Sequence, residues 1–136
     1  MNVSKWQAFI DGTAAVLGAV LGFLFGEAGG LLYMLVAFMA MDYVTGVIAA
    51  AVNREISSKA GFKGLAKKLL ILVFTAMGHI IDSFALGGTP TLMSAVMLFY
   101  IANEGISITE NAAILGLPIP KKLKEMLSQL KDKGDE

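Results

Sequence analysis

The sequence predicts an all-α integral membrane protein, a single membrane domain over residues 1–136 with four transmembrane helices and a short C-terminal amphipathic helix. Three observations support this fold class: the composition, the apolar stretches and the one-sided placement of the basic residues. Hydrophobic residues make up 56% of the chain and charged residues 16%, against about 25% charged in an ordinary soluble domain. A chain this short has too much surface to hide that much apolar sequence from water. Membrane lipids are therefore the first expected partner.

The composition also excludes several functional classes. The chain has no cysteine and one histidine, so disulfide frameworks, thiolate zinc sites and His-rich metal clusters cannot form. Eleven basic residues balance eleven acidic ones, which leaves no excess charge to hold nucleic acid. The loop at residues 57–64 lacks the order of a phosphate-binding P-loop. We therefore expect a protein that is not an enzyme, with no catalytic residue, metal ligand, cofactor or nucleic-acid partner.

Four apolar stretches are candidates to cross about 30 Å of hydrocarbon as helices. The second is interrupted by one charge, and the third ends sharply at a Gly-Gly-Thr-Pro turn. The fourth is apolar in its first half and then contains a polar patch, which must face protein or water. The four spans are predicted at about residues 6–26, 31–52, 69–86 and 92–108.

The first stretch is the weakest span, and three spans are the alternative to four. Its uninterrupted apolar part, residues 13–25, has the length of a signal-peptide core or an interfacial segment. In the signal-peptide interpretation, Lys5 begins the segment and residues 26–28 form a cleavage site. A pattern of small residues at every fourth position argues against a signal peptide, because it lets transmembrane helices approach closely. The same pattern predicts a homo-oligomer. The small residues are Ala14, Gly18, Gly22, Gly26 and Gly30.

Lysine and arginine fall almost entirely in two places, the loop after the second span and the tail at 118–133. Because basic residues mark the cytoplasmic side, both termini are predicted in the cytoplasm. A three-span topology would misplace only Lys5, so charge alone leaves it open. The basic residues expected at the membrane surface are Arg54, Lys59, Lys63, Lys67, Lys68, Lys121, Lys122 and Lys124.

The tail itself predicts a short amphipathic helix. Leu123, Met126, Leu127 and Leu130 recur at helical spacing, and lysines surround them. Such a helix can rest on anionic lipid at the cytoplasmic surface. The alternative is a solvated, loosely helical tail that only fixes the topology.

Ionisable groups within spans are costly and are therefore functional candidates. Asp42 and Glu104 lie at a similar depth, and no basic residue lies inside a predicted span to neutralise them. They are expected to be protonated, bonded to helix ends, exposed to water within an assembly, or engaged in hydrogen bonds that only fix helix register. His79 and Asp82 share a helix face and could form a hydrogen-bonded pair, with either a proton relay or a structural role. Asn103, beside Glu104, completes this intramembrane polar set.

Several sequence blocks occur in a characteristic order between residues 42 and 130. They are Asp42-Tyr43-Val44-Thr45-Gly46, then residues 61–68 (GFKGLAKK), residues 99–108 (FYIANEGISI), Glu110-Asn111 and residues 116–124 (GLPIPKKLK). This series resembles the phage lysis holin and toxin-secretion holin family of Gram-positive bacteria and their phages. The family's motif positions correspond here to Asp42, Gly46, Lys63, Gly64, Asn103, Glu104 and Gly105.

The resemblance implies a small bacteriophage or bacterial protein of the bacterial cytoplasmic membrane. Such a protein oligomerises into lesions that release a cell-wall hydrolase (an endolysin) or a large toxin. Pore formation of this kind leads either to host cell lysis (cytolysis) or to toxin secretion. One alternative from another class is a small proton- or cation-conducting transporter or channel that uses Asp42 and Glu104. Another is an inert subunit of a membrane assembly.

Overall fold

The computed structural model describes residues 2–27 and 29–135, and within these ranges the chain forms helices and no strand. The helices are α1 (Val3–Phe25), α2 (Gly30–Val52), α3 (Ser58–Phe84), α4 (Thr91–Ile114) and α5 (Lys121–Asp135). The all-α class is thus confirmed, and α1 to α4 are each long and apolar enough to cross a membrane. Ala28, the last residue of the alternative cleavage site, lies outside the described residues.

Two helices extend beyond the apolar stretches that predicted them. α3 begins at Ser58 rather than at Leu69, because Ser57 caps it by accepting a hydrogen bond from the backbone N–H of Ala60. α4 continues through its polar patch to Ile114. Residues 58–68 and 109–114, which lie outside the predicted spans, are therefore helical.

The five small residues do not form one continuous face, which corrects the expectation from their spacing. α1 ends at Phe25, and Gly26 has a φ of 63°, a left-handed conformation that ends the helix. Gly30 begins α2. Only Ala14, Gly18 and Gly22 share a face of α1, because a helix break separates them from the other two.

The core lies between α2, α3 and α4, with α4 at the centre. α4 packs against both of its long neighbours, whereas α2 and α3 touch each other much less. A cluster of buried side chains joins the three helices: Leu35, Met39, Ile71, Met93, Met97 and Ile101. α1 contacts α3, and within residues 3–25 no residue is buried. The molecule is thus a three-helix bundle with α1 beside it.

α3 and α4 approach each other most closely at Gly78. A Cβ atom placed on Gly78 would lie 3.0 Å from Cα of Met93 and 3.1 Å from its backbone nitrogen. Because these are backbone atoms, they cannot move aside as a flexible side chain could. Any side chain larger than glycine at this crossing therefore requires α3 and α4 to move apart.

We predict that Gly78→Leu destabilises the bundle, because a larger side chain must separate α3 from α4. Overpacking of this kind typically costs about 1–3 kcal/mol, and thermal unfolding in detergent would measure the loss. Ala66→Leu, at an exposed position of the same helix, is the matched control. Equal unfolding temperatures for the two variants would contradict the close approach.

Candidate functional site

An ion-paired triad joins the three core helices. Nζ of Lys68 on α3 lies 2.7 Å from Oδ2 of Asp42 on α2 and 2.5 Å from Oε2 of Glu104 on α4. The side chains of Lys68, Asp42 and Glu104 are only 14%, 16% and 10% exposed. The expectation that no cation neutralises the two acids is therefore wrong. We call these three residues the Lys68 triad.

The early start of α3 explains why the sequence did not indicate this pairing. Lys68 immediately precedes the apolar stretch, a position typical of a membrane-surface residue, yet it lies well inside α3. From the outer helix ends, Asp42 is about 18 Å deep, Glu104 about 20 Å and Lys68 about 24 Å, at 1.5 Å per residue. The long, flexible lysine stem spans the remaining difference. The similar depth expected for the two acids is what allows one ammonium group to reach both.

Asn111 adds a second connection between α2 and α4. Its Nδ2 donates to Oδ1 of Asp42 at 3.1 Å, to the Asp42 carbonyl oxygen at 3.3 Å and to Oγ1 of Thr45 at 2.9 Å. Asn111 lies two helical turns after Glu104, so both project from the same face of α4. The sequence alone indicates no role for Asn111 or Thr45. The spacing of two helical turns between Glu104 and Asn111 is nevertheless a signal that the two residues share a face of α4.

The Lys68 triad lies in a cavity of about 470 Å³ between α2, the α2–α3 connection, α3 and α4. Small residues such as Gly46 and Gly64 form much of its wall, and Tyr43 and Ser107 also line it. Of the family's motif positions, five line this one cavity: Asp42, Gly46, Gly64, Asn103 and Glu104. The cavity therefore brings together positions that are far apart in the sequence.

The two remaining motif positions lie elsewhere. Lys63 is exposed on α3. Gly105 is buried on another side of α4, where a Cβ atom would lie 2.5 Å from a methyl group of Leu127 and 3.2 Å from the ring of Phe38. Lys63 and Gly105 are thus separate from the cavity, and Gly105 instead makes room for α5.

His79 and Asp82 have separate partners. Asp82 is 1% exposed, and its carboxylate accepts hydrogen bonds from the backbone N–H groups of Leu92 at 2.9 Å and Met93 at 2.8 Å. It thereby satisfies the N-terminus of α4, where Pro90 provides no side-chain cap. The ring of His79 packs against Gly26 instead. The structural interpretation of Asp82 therefore replaces the hydrogen-bonded pair and the proton relay.

The expected amphipathic helix forms as α5, but it packs along α4 and so differs from both a lipid-bound helix and a loose tail. Leu127 is buried against Gly105, and Nζ of Lys131 lies 5.8 Å from the centre of the Phe99 ring. The other lysines expected at the surface are exposed, namely Lys59, Lys63, Lys67, Lys121, Lys122 and Lys124, as is Arg54. Lys68 alone among that set turns inward.

Comparison with known proteins identifies the family to which this arrangement belongs. The sequence profile of the bacteriophage holin family matches residues 19–132. The chain belongs to this family. The match covers α2 to α4 and most of α5, and it includes both the Lys68 triad and the C-terminal part of α1. Family membership and four long apolar helices together indicate a multi-pass membrane protein.

Individual relatives extend the comparison over nearly the whole chain. A probable holin of Bacillus phage phi105 is 38% identical over 115 residues, 84% of this chain and 83% of the relative. An uncharacterised protein of Halalkalibacterium halodurans is 44% identical over 134 residues, 96% of this chain and 98% of the relative. One from Listeria innocua is 47% identical over 120 residues, covering 88% and 85%. No solved structure matches this chain significantly.

We predict that Lys68→Met strongly destabilises this protein, because it leaves two carboxylates close together without a cation. Removal of one partner from a buried ion pair typically costs about 3–5 kcal/mol. Thermal unfolding or limited proteolysis of the detergent-solubilised protein would measure the loss. Lys63→Met, at an exposed position of the same helix, should have little effect.

A compensated variant separates charge imbalance from a simple packing defect. When Asp42→Asn and Glu104→Gln accompany Lys68→Met, no unpaired charge remains, so much of the stability should return. A triple variant as unstable as Lys68→Met alone would mean that unpaired carboxylates are not the cause of the instability, and that the lost contacts of the lysine side chain are.

Proposed function

We propose that this protein acts as a holin that oligomerises in the bacterial cytoplasmic membrane and forms lesions. Through these lesions a cell-wall hydrolase, or a large toxin, would leave the cytoplasm, leading to host cell lysis or toxin export. Membership of the bacteriophage holin family and the probable holin of phage phi105 support the role. The structural observation that carries the assembly step is α1, an apolar helix with no buried residue between Val3 and Phe25.

The geometry of α1 suits association with another copy. Cβ atoms placed on Gly18 and Gly22 would meet nothing within 4 Å inside the subunit. In lipid, where apolar surface alone does not drive helices together, small residues favour association because they let backbones approach closely. Ala14, Gly18 and Gly22 still form a face of small residues that permits close approach, although the helix break at Gly26 shortens that face. α1 would therefore join subunits, while the Lys68 triad keeps α2 to α4 together as one unit.

A proton- or cation-conducting function has less support from the site. A conducting site needs carboxylates that can bind a passing ion, whereas Lys68 already contacts both Asp42 and Glu104. The protein's own ammonium group occupies the position that a transported cation would need. The two functions differ in what they release, since a conductor passes small ions and a holin lesion passes a folded protein.

The proposed function predicts lysis when the protein is produced together with a cytoplasmic endolysin that lacks an export signal. Culture density should fall sharply with both proteins and not with the endolysin alone. Gly22→Leu should delay the fall and reduce crosslinked oligomers, because leucine is compatible with lipid but prevents close helix approach. The amount of protein in the membrane should stay unchanged.

Gly12→Leu is the matched control for this experiment. Gly12 is also open on all sides in the subunit, but on α1 it points about 120° away from Gly18, the middle residue of the face, at 100° per residue. Cultures that produce the Gly12→Leu variant should therefore lyse at the wild-type time. Ion leakage without endolysin release would instead favour the conductor, and equal oligomer yields for both leucine variants would reject assembly through this face.

The proposed topology places both termini and the α2–α3 connection in the cytoplasm, as the basic residues suggest. Because the chain has no cysteine, each introduced cysteine is the only thiol. Gly29→Cys and Thr89→Cys should react with a membrane-impermeant thiol reagent outside intact cells, and Ser58→Cys should react only after permeabilisation. External labelling of Ser58→Cys before any lesion opens would contradict this topology.

A further inference from the structure

The position of α5 along α4 is unusual for a charged helix. α5 runs antiparallel to α4, with Leu127 beside Gly105 and Gly134 beside Phe99. A Cβ atom on Gly134 would lie 2.5 Å from the backbone nitrogen of Phe99, so the two helices touch there without intervening side chains. The turn that allows this return contains Gly116, with a φ of 80°, and two prolines.

The depth of these contacts follows from the length of α4. Counted from Thr91 at the outer end, Phe99 lies about 12 Å and Gly105 about 21 Å along the helix, at 1.5 Å per residue. The hydrocarbon region is about 30 Å thick. If α4 crosses the membrane, the segment from Leu127 to Gly134 lies beside the middle of the hydrocarbon region, well below the cytoplasmic surface.

The composition of α5 is incompatible with lipid at that depth. Its sequence, KKLKEMLSQLKDKGD, has eight charged residues among 15, and charged side chains in hydrocarbon are strongly unfavourable. Only one stripe of the helix is covered by α4, and exposed charges such as Lys124, Glu125 and Lys133 point away from it. Those charges need water beside them at membrane depth.

We propose that α5 lines the water-filled passage of the assembled protein. Its apolar stripe, with Leu127 at its centre, holds it on α4, and its charged face forms the wall that water and cargo contact. This proposal rests on the proposed lesion, which supplies the water. In an unassembled subunit surrounded by lipid, α5 cannot occupy this position, so its docking on α4 accompanies the opening of the lesion.

A disulfide between α4 and α5 tests the proposal directly. In the cysteine-free chain, Gly105→Cys with Leu127→Cys places two thiols where Leu127 of α5 packs directly on Gly105 of α4. Co-expression with an endolysin, sampled over time under a mild oxidant, should show the intramolecular disulfide appearing as culture density falls. The locked protein should still release endolysin at least half as fast as the same variant kept reduced.

Gly105→Cys with Ser128→Cys is the matched control, since Ser128 is exposed and adjacent to Leu127. It should give at least fivefold less intramolecular disulfide. A disulfide that forms fully before lysis and prevents release until a reductant is added would overturn the proposal, because α5 would then be a cover. Absence of the disulfide during normal lysis would also overturn it while leaving the proposed function intact.

A second measurement keeps the two proposals distinguishable if no lysis occurs. In proteoliposomes that have released an encapsulated dye, and so contain the open assembly, a nitroxide label on Ser128→Cys should lie below the lipid phosphates and yet be reached by a water-soluble paramagnetic quencher. A label on Val16→Cys, at an exposed position of apolar α1, should be reached only by oxygen from the lipid. A Ser128 label above the phosphates, or one shielded from water, would reject a passage lined by α5.

Discussion

The interaction on which the bundle depends is the contact of one ammonium group with two carboxylates from different helices. Lys68 touches Asp42 and Glu104 at 2.7 Å and 2.5 Å, and so connects α3 to both α2 and α4. α2 and α3 share little direct packing, so this triad is the main polar connection between them. In a low-dielectric surrounding, such a set is stable only when each charge has its partner. The arrangement therefore fixes the relative depth of three helices.

At the opposite end of the bundle, hydrogen bonds to a buried carboxylate join α3 and α4. As in the triad, each buried polar group has a partner. Asp82 accepts two backbone hydrogen bonds at the start of α4, and Gly78 lets α3 approach the backbone of Met93. A buried helix end without partners would be costly, particularly in lipid, where water cannot replace the missing hydrogen bonds. α3 and α4 are thus joined at both ends, and α1 is left free for other contacts.

α4 uses different faces for different tasks. One face, with Glu104 and Asn111, lines the cavity and binds α2, whereas Gly105 receives α5. Adjacent residues in one family motif therefore serve two separate structural purposes. Within the Asn103-Glu104-Gly105 block, Asn103 and Glu104 line the cavity, whereas Gly105 contacts Leu127 of α5.

Composition and periodicity alone determined the membrane class, the four long apolar helices and the amphipathic character of α5. These properties follow from transfer free energies and helical spacing, which are local features of the chain. The sequence also indicated that Asp42 and Glu104 share a depth, since depth follows from counting residues along each helix. The order of its blocks was enough to indicate the holin family.

Only the tertiary structure decided which polar groups meet. Lys68 precedes an apolar stretch and looks like a surface residue. However, α3 already begins after the cap at Ser57, so Lys68 lies within the helix and reaches Asp42. Asp82 binds the next helix rather than His79, because the turn at Gly87 and Gly88 returns the backbone of Leu92 to it. Likewise, the spacing of five small residues predicted one face, but the left-handed Gly26 divided it. Pairing between helices depends on where each helix starts, stops and turns, and spacing within one stretch does not contain that information.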